Sequence, residues 1–250
     1  MTPLTPTRPI KSLTHQLLFE TVDQLTEARA FCVQVGANDG VTADPLNPYL
    51  TKRGWGGLLL EPSPLYFERL ARLHAGNDRV EVLNTGCSSR KGSLPLYYLD
   101  AAHEEKYRRN ARGTASLDRA WLEAALSKQA DVYDPSHISE AEVPLDRLDA
   151  ILAKAGVDTA DVLVIDVEGH EAEVMEGVDL AALDPLLTRV ECSDRARARA
   201  LAPMLAAGGR SVYKVAAEMI ALSPRMREAV AIDTVLQTLG FEPYSEVALA

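Results

Sequence analysis

Short apolar runs without polar alternation recur along the chain, separated by stretches with helical spacing. Leu13, Leu17, Leu18, Val22 and Leu25 repeat at that spacing, which predicts an amphipathic helix over 12–30 behind a proline- and threonine-rich arm at 1–10. FCVQVG at 31–36 and GLLLE at 57–61 read as buried strands, and a PSP step then leads into a helix over 65–73. A third strand is expected at 80–83, the plainest one at 162–167 (VLVIDV) ahead of the helical EGHEAEVMEGV, and another at 186–192. SVYKVA at 211–216 is expected as a strand, 225–239 as a helix and FEPYSEVAL at 241–249 as a final strand.

Strands alternating with helices predict an α/β chain with a mostly parallel sheet and helices on both faces, since strands buried on both sides lose polar alternation. Residues 92–145 break the rhythm. LPLYYL at 94–99 reads as an added strand, 117–126 as a helix and 132–139 as a loop, an insertion between the third and fourth strands of the size of a substrate lid. The predicted organisation is an arm and helix at 1–30, then one domain over 31–250 carrying that insertion.

Composition narrows the functional classes. The 250 residues carry 26 Lys and Arg against 36 Asp and Glu, a net charge of −10. Such a surface repels phosphate backbones and anionic lipid, so nucleic acid and membrane are not expected as partners. Cys32, Cys87 and Cys192 are scattered in or beside apolar runs with no CxxC spacing, as reduced buried thiols would be. The first residues hold no apolar core of signal-peptide length, and no run approaches the ~20 apolar residues of a membrane span. A cytoplasmic location is the expectation. The apolar stripe of the first helix fits a partner copy as readily as its own sheet, which leaves a homo-oligomer open.

The first strand ends in Gly36-Ala37-Asn38-Asp39-Gly40, and ligands of such sheets sit at the carboxyl ends of the strands. GxGxxG and GxxxxGK[ST] are both absent, which disfavours a nicotinamide dinucleotide and NTP hydrolysis. The second strand ends in Glu61, whose carboxylate can accept both hydroxyls of a ribose. A glycine turn with an acidic second strand fits a nucleoside, and the missing pyrophosphate turn favours S-adenosylmethionine over NAD.

The motifs VQVGANDG (33–40), GWGGLLLEPSPLYFERL (54–70), the SL of GTASL (113–117), VPLDRL (143–148), VLVIDVEGHE (162–171) and VECSD (190–194) resemble, in order, those of the FkbM family of methyltransferases. The resemblance covers about two thirds of the chain and is loose after Asp194. It implies the class I S-adenosylmethionine-dependent methyltransferase fold, Rossmann-like, with a seven-stranded sheet whose last strand runs antiparallel. It also implies methylation of a hydroxyl on a sugar, polyketide or other secondary metabolite.

In that reading Gly36 and Gly40 border the methionine moiety, with Ala37, Asn38 and Asp39 in the same loop. Glu61 holds the ribose, Pro62 and Ser63 shape the adenine side, and Gly86 and Cys87 run along the adenine; simple packing is the better account of Cys87. Thr114 and Ser116 sit in a loop able to close over the cofactor, or are turn formers. Asp166 and Glu168 follow the fourth strand and Glu191 ends the fifth, so the three can converge on one cleft, with Asp166 also near the cofactor. Their oxygens suit Mg²⁺, which would lower the pKa of an acceptor hydroxyl. Alternatively His170 is a metal-free general base, or Glu168 and Glu171 only cap the following helix. Transfer to nitrogen or a carboxylate, and a catalytically silent nucleoside-binding scaffold, remain competing readings.

Overall fold

The computed structural model describes residues 10–230 apart from 109–110, 112–113 and 131–132. In chain order the elements are α1 (Ile10–Leu25), β1 (Phe31–Val35), α2 (Asn47–Lys52), β2 (Gly56–Leu60), α3 (Pro64–His74), β3 (Val80–Leu83), β4 (Gly86–Cys87) and β5 (Gly92–Leu99). There follow β6 (Ala115–Ser116), α4 (Arg119–Ser127), β7 (Ile138–Asp146), α5 (Leu148–Ala155), β8 (Val162–Ile165), α6 (Glu171–Glu176) and α7 (Leu180–Leu183). The described chain closes with β9 (Leu187–Glu191), α8 (Arg195–Leu205), β10 (Ser211–Val215), β11 (Glu218–Leu222) and α9 (Pro224–Val230).

Seven strands form one sheet in the order β10-β11-β9-β8-β1-β2-β3. β1 pairs in parallel with β2 on one side and β8 on the other, in a register that sets Val35 opposite Leu60 and Ile165. The carboxyl ends of these strands therefore lie side by side, as a ligand site in an open parallel sheet requires. β11 runs antiparallel to both β9 and β10. This is the seven-stranded, mostly parallel sheet with an antiparallel strand that the resemblance implies.

The sheet is central because its inner strands are apolar on both faces. Val33, Leu58, Leu60, Leu163 and Ile165 on one face, and Cys32, Leu59, Val162 and Val164 on the other, are fully or almost fully buried. Each such leucine or isoleucine contributes about 1.5–3 kcal/mol on leaving water. Helices α5 to α8 cover the first face, and α1, α2, α3 and α9 the second. There Phe19, Tyr49 and Trp55 stack, with ring centroids of Tyr49 and Trp55 4.6 Å apart, and the Trp55 indole N–H donates to Asp23 at 2.6 Å.

Three expectations need correction. The first helix stops at Leu25, because Glu27 and Ala28 take left-handed backbone (φ 51° and 59°) and turn the chain into β1. The antiparallel strand is β11, reached from β10 through a tight turn at Ala216 (φ 51°); the stretch 241–249 expected to supply it lies outside the described residues, as do the arm at 1–9 and the helix beyond 230. The insertion is an ordered four-stranded sheet, β4-β7-β5-β6. Its longest strand, β7, begins inside the stretch expected as a loop and pairs with β5 from Leu99↔Ile138 to Gly92↔Leu145.

Candidate functional site

The turn after β1 and the turn after β2 are tied by one side chain. Glu61 accepts the backbone N–H of Asn38 on Oε2 and that of Ser63 on Oε1, both at 2.8 Å. Asn38 reaches this position with a left-handed φ of 50°. Behind it, the amide of Asn84 donates to the carbonyls of Glu61 and Pro62 at 2.8 and 3.0 Å. Glu61 is only 6% exposed, and burial pushes its carboxyl up to about 7, against the two amide bonds.

Gly36 owes its identity to backbone crowding. A Cβ there would stand 1.9 Å from the carbonyl oxygen of Asp166, and its φ of 82° is unfavourable for other residues. β1 and β8 thus close on each other at the floor of the site.

A cleft of about 180 Å³ opens over these strand ends. Gly36, Ala37, Asn38, Glu61, Pro62, Gly86, Cys87, Asp166, Glu168 and His170 are among its lining residues. The insertion closes its other side with Leu96, Thr114, Ala115, Leu117 and Leu145. Burial pushes the Cys87 thiol up, so it stays protonated and acts as an apolar wall.

Four residues expected at the cofactor stand outside this lining. Asp39 faces its own loop, where it accepts from the N–H groups of Val41 and Thr42 and from the Thr42 hydroxyl. Gly40 packs on α3, where a Cβ would meet Leu70 and Leu73 side chains. Ser63 is buried behind Glu61, to which its amide is bound. Ser116, 1% exposed, donates from Oγ to the carbonyl of Glu168 at 2.7 Å and accepts from the N–H of Asp118 at 3.0 Å.

Asp166, Glu168 and Glu191 do converge: each offers a carboxylate oxygen within 4.8 Å of the others. Adjacent parallel strands bring them there, since Ile165 of β8 pairs with Val190 of β9. Glu168 holds a left-handed φ of 54°. Burial first, then the Asp166 charge and those of its acidic neighbours, hold the carboxyls of Glu168 and Glu191 well above the ordinary range. Among the described residues no ion pair engages any of the three. A shared proton or a cation is what such a group requires.

His170 stands apart from this trio. Its Nε2 lies 3.0 Å from Ser88 Oγ, its Nδ1 3.6 Å from Glu173, and burial lowers its pKa. Glu171 accepts the N–H of Gly169 at 2.9 Å, in the turn that precedes α6.

A second cleft, of about 720 Å³, lies on the α1 side of the same strand ends. Ala43, Pro45, Asp166, Glu168 and Arg189 line both clefts; Glu191 lines the second only, and His170 the first only. Arg189 is bound to Glu218 at 2.7 Å, both deeply buried, and its Nε–H has no partner. Gln34 donates weakly to Asp44 at 3.4 Å, and Gln34 Oε1 and Asp44 Oδ2 are likewise unpartnered. Gln34, Asp44, Arg189 and Glu218 escaped the sequence reading, although a glutamine inside FCVQV and an arginine inside LTRVE are conspicuous in strands otherwise apolar.

Over residues 34–242 the sequence matches the family model described as Methyltransferase FkbM domain. The chain belongs to the FkbM methyltransferase family. Methyltransferase sdnD of Sordaria araneosa is 30% identical over 169 residues, covering 60% of each protein, so the chain spans about 60% of that relative's length. Methyltransferase FkbM from Methylobacillus flagellatus KT superposes with a TM-score of 0.49 at 12% identity, over 78% of this chain and 44% of that one. For the METTL16 MTase domain the values are 0.47 and 13%, over 88% and 70%. The FkbM match spans β1 to α9 and so includes every strand end that builds the two clefts. Among the described residues no helix is long and apolar enough to cross a membrane.

Proposed function

We propose that this FkbM-family protein transfers the methyl group of S-adenosylmethionine to a hydroxyl of a small molecule, of the sugar, glycoside or polyketide kind. The observation that carries the reading is the buried Glu61 carboxylate. Two backbone amides hold it in the wall of a cleft, beside an acidic group at the neighbouring strand ends. Glu61 would take the ribose hydroxyls on its remaining lone pairs, and Asn38, Pro62, Gly86 and Cys87 would flank the nucleoside.

Methyl transfer from a sulfonium is an in-line displacement on an already activated group, so the chain's main task is alignment of nucleophile, methyl carbon and sulfur. The hydroxyl must also lose its proton. Burial and neighbouring charge raise the carboxyls of Glu168 and Glu191, so the trio holds protons near neutral pH, and the proton removed from the hydroxyl would pass to the oxygens of this group that remain ionised. The oxygens of Asp166, Glu168 and Glu191 also suit Mg²⁺, being hard, mutually close and without a counter-charge in the chain. When bound, such an ion would lower the pKa of the acceptor oxygen.

Transfer of a labelled methyl group to hydroxyl compounds, with and without Mg²⁺, tests the reading once the product is mapped by NMR. An O-methyl ether is expected. A methyl group on nitrogen or on a carboxylate would refute it.

A further inference from the structure

We propose that Asp44 and Gln34 share one proton as a carboxylic acid–amide pair, and that this pair latches the wall between the two clefts. The wall is the stretch Thr42-Ala43-Asp44-Pro45, which lines the smaller cleft throughout and the larger one through Ala43 and Pro45. Asp39 ties down its first residue, accepting both the N–H and the hydroxyl of Thr42. Ala43 then takes left-handed backbone (φ 55°), a conformation that persists only where its surroundings hold it. On the sheet side the hold is the Asp44 side chain, set against Gln34 of β1.

The hydrogen bonds on Asp44 mark where a proton belongs. Its Oδ1 takes two donors, the N–H of Leu46 at 2.8 Å and the Gln34 amide at 3.4 Å, whereas its Oδ2 has no partner. An ionised carboxylate accepts on both oxygens; a protonated one accepts on the carbonyl oxygen and donates from the other. Gln34 supplies the complement, because its amide nitrogen meets Oδ1 while Oε1, the other end of the same amide, has no donor. Both unpartnered oxygens are shut off from solvent, and so from any ligand in the clefts. As two bare acceptors each would forfeit a hydrogen bond in a buried place, and one proton on Oδ2 satisfies both. Among the described residues, Arg189 of β9 and Cys32 of β1 are the titratable groups facing Asp44. The Arg189 charge opposes the proton but is taken up by Glu218 at 2.7 Å, and burial keeps Cys32 a neutral thiol. Burial outweighs these influences and pushes the Asp44 carboxyl up to about 6.

The latch makes Asp44 a positioning residue for the smaller cleft, a role that rests on the reading that this cleft holds the cofactor. Asparagine at position 44 can close the same pair, an amide N–H replacing the acid O–H, whereas alanine cannot. Protein labelled with ¹³C at its aspartate carboxyls tests the pair by NMR titration without cofactor, with the Asp44 signal identified by its absence from Asp44→Asn. That carboxyl should titrate at about 6 or above, and the Gln34 side-chain amide should shift with the same midpoint. A midpoint in the ordinary aspartate range, or a Gln34 amide indifferent to the titration, would overturn the shared proton. Calorimetry with S-adenosylhomocysteine follows at about pH 5.5, where the pair holds its proton. Asp44→Asn should bind within about twofold of wild type, and Asp44→Ala at least about tenfold more weakly. Gln34→Met, which removes the amide and leaves the acid, should match Asp44→Ala and takes its place if that variant does not fold. Binding by Asp44→Asn as weak as that of the disrupted variants would reveal a charged carboxylate at work and overturn the pair. Unimpaired binding by those variants would overturn the latch. Wild-type protein that binds no S-adenosylhomocysteine removes the cofactor reading alone, and the titration still decides the pair.

Discussion

Ser116 Oγ donates to the backbone carbonyl of Glu168 across 52 positions of sequence, at 2.7 Å. Glu168 sits there in a left-handed conformation that costs a non-glycine residue roughly 1–3 kcal/mol. The insertion thereby holds a strained turn that aims one member of the carboxylate trio. Ser116→Ala should lower stability by about 1–3 kcal/mol, because the Glu168 carbonyl and the Asp118 N–H each lose a partner. It should lower kcat more than it weakens S-adenosylhomocysteine binding. Denaturant unfolding, calorimetry and turnover on the same preparation separate the three effects. A variant as stable and as active as wild type would remove Ser116 from the positioning role.

Gly36 supports a sharper prediction. With the Asp166 carbonyl 1.9 Å from a would-be Cβ, Gly36→Ala must part β1 from β8 at the base of both clefts. A loss of at least about 3 kcal/mol is expected, in the class of backbone-strain substitutions. Gly40→Ala would push only on the ends of the Leu70 and Leu73 side chains and should be milder, despite its φ of 70°. Thermal melts of the two variants should rank in that order.

Much of this geometry is legible in the sequence. Strands β1, β2, β8 and β9 are continuous apolar runs because both faces are covered, so their carboxyl ends, and with them Glu61, Asp166, Glu168 and Glu191, could be located from the pattern alone. β7 was missed because only one of its faces is buried. Its alternation, ISEAEVPLD, is the period-two signal of a half-covered strand, and the prolines and charges around it resemble a loop. β11 was missed because its hairpin turns at Ala216 with neither glycine nor proline to announce it. The wall of the larger cleft had no local signal at all. Which face of the sheet α1 covers is settled by tertiary packing, so Phe19 and Glu20 read as helix positions and nothing more.

Glu61 makes stability and cofactor affinity depend on pH in opposite directions. Its folded pKa is raised to about 7 from 4.5, so the folded chain keeps a proton that the unfolded chain releases. The stabilisation is full below the unfolded value and is lost as pH rises through the folded one, with a span on the order of 3 kcal/mol. The protein without cofactor should therefore lose stability between about pH 5 and pH 7.5, and Glu61→Gln should flatten that slope. Ribose hydroxyls donate to the charged carboxylate, so S-adenosylhomocysteine should bind more tightly as pH rises over the same window and release a proton on binding. Calorimetry in buffers of different ionisation enthalpy reads that proton directly. Affinity independent of pH would place the ribose elsewhere.

The buried Arg189–Glu218 pair is expected to behave asymmetrically. Removing either partner strands a charge: Glu218 is fully buried and Arg189 nearly so, and Arg189→Met alone should cost about 3–5 kcal/mol. The double variant Arg189→Met with Glu218→Met should recover most of that loss, since a buried pair contributes little net stability over apolar groups of similar size. Methyl transfer should not recover with it, because Arg189 lines both clefts beside the carboxylate trio. Chemical denaturation and turnover on all three variants test the pattern, and a double variant restored in both would reduce Arg189 to a packing residue.

The carboxylate trio separates a metal from a shared proton. Glu191→Gln keeps the shape and the hydrogen-bonding capacity of the protonated Glu191 that burial and the Asp166 and Glu168 carboxyls favour, so folding should be preserved at neutral pH. If Mg²⁺ is held there, wild-type transfer should fall after exhaustive chelation and return with the ion. Mn²⁺ should then give a binding heat that Glu191→Gln loses, a readout independent of turnover. If instead the trio works by sharing a proton, chelation leaves the wild-type rate intact. Glu191→Gln should then shift the pH–rate profile, because the remaining carboxylates titrate without their third partner.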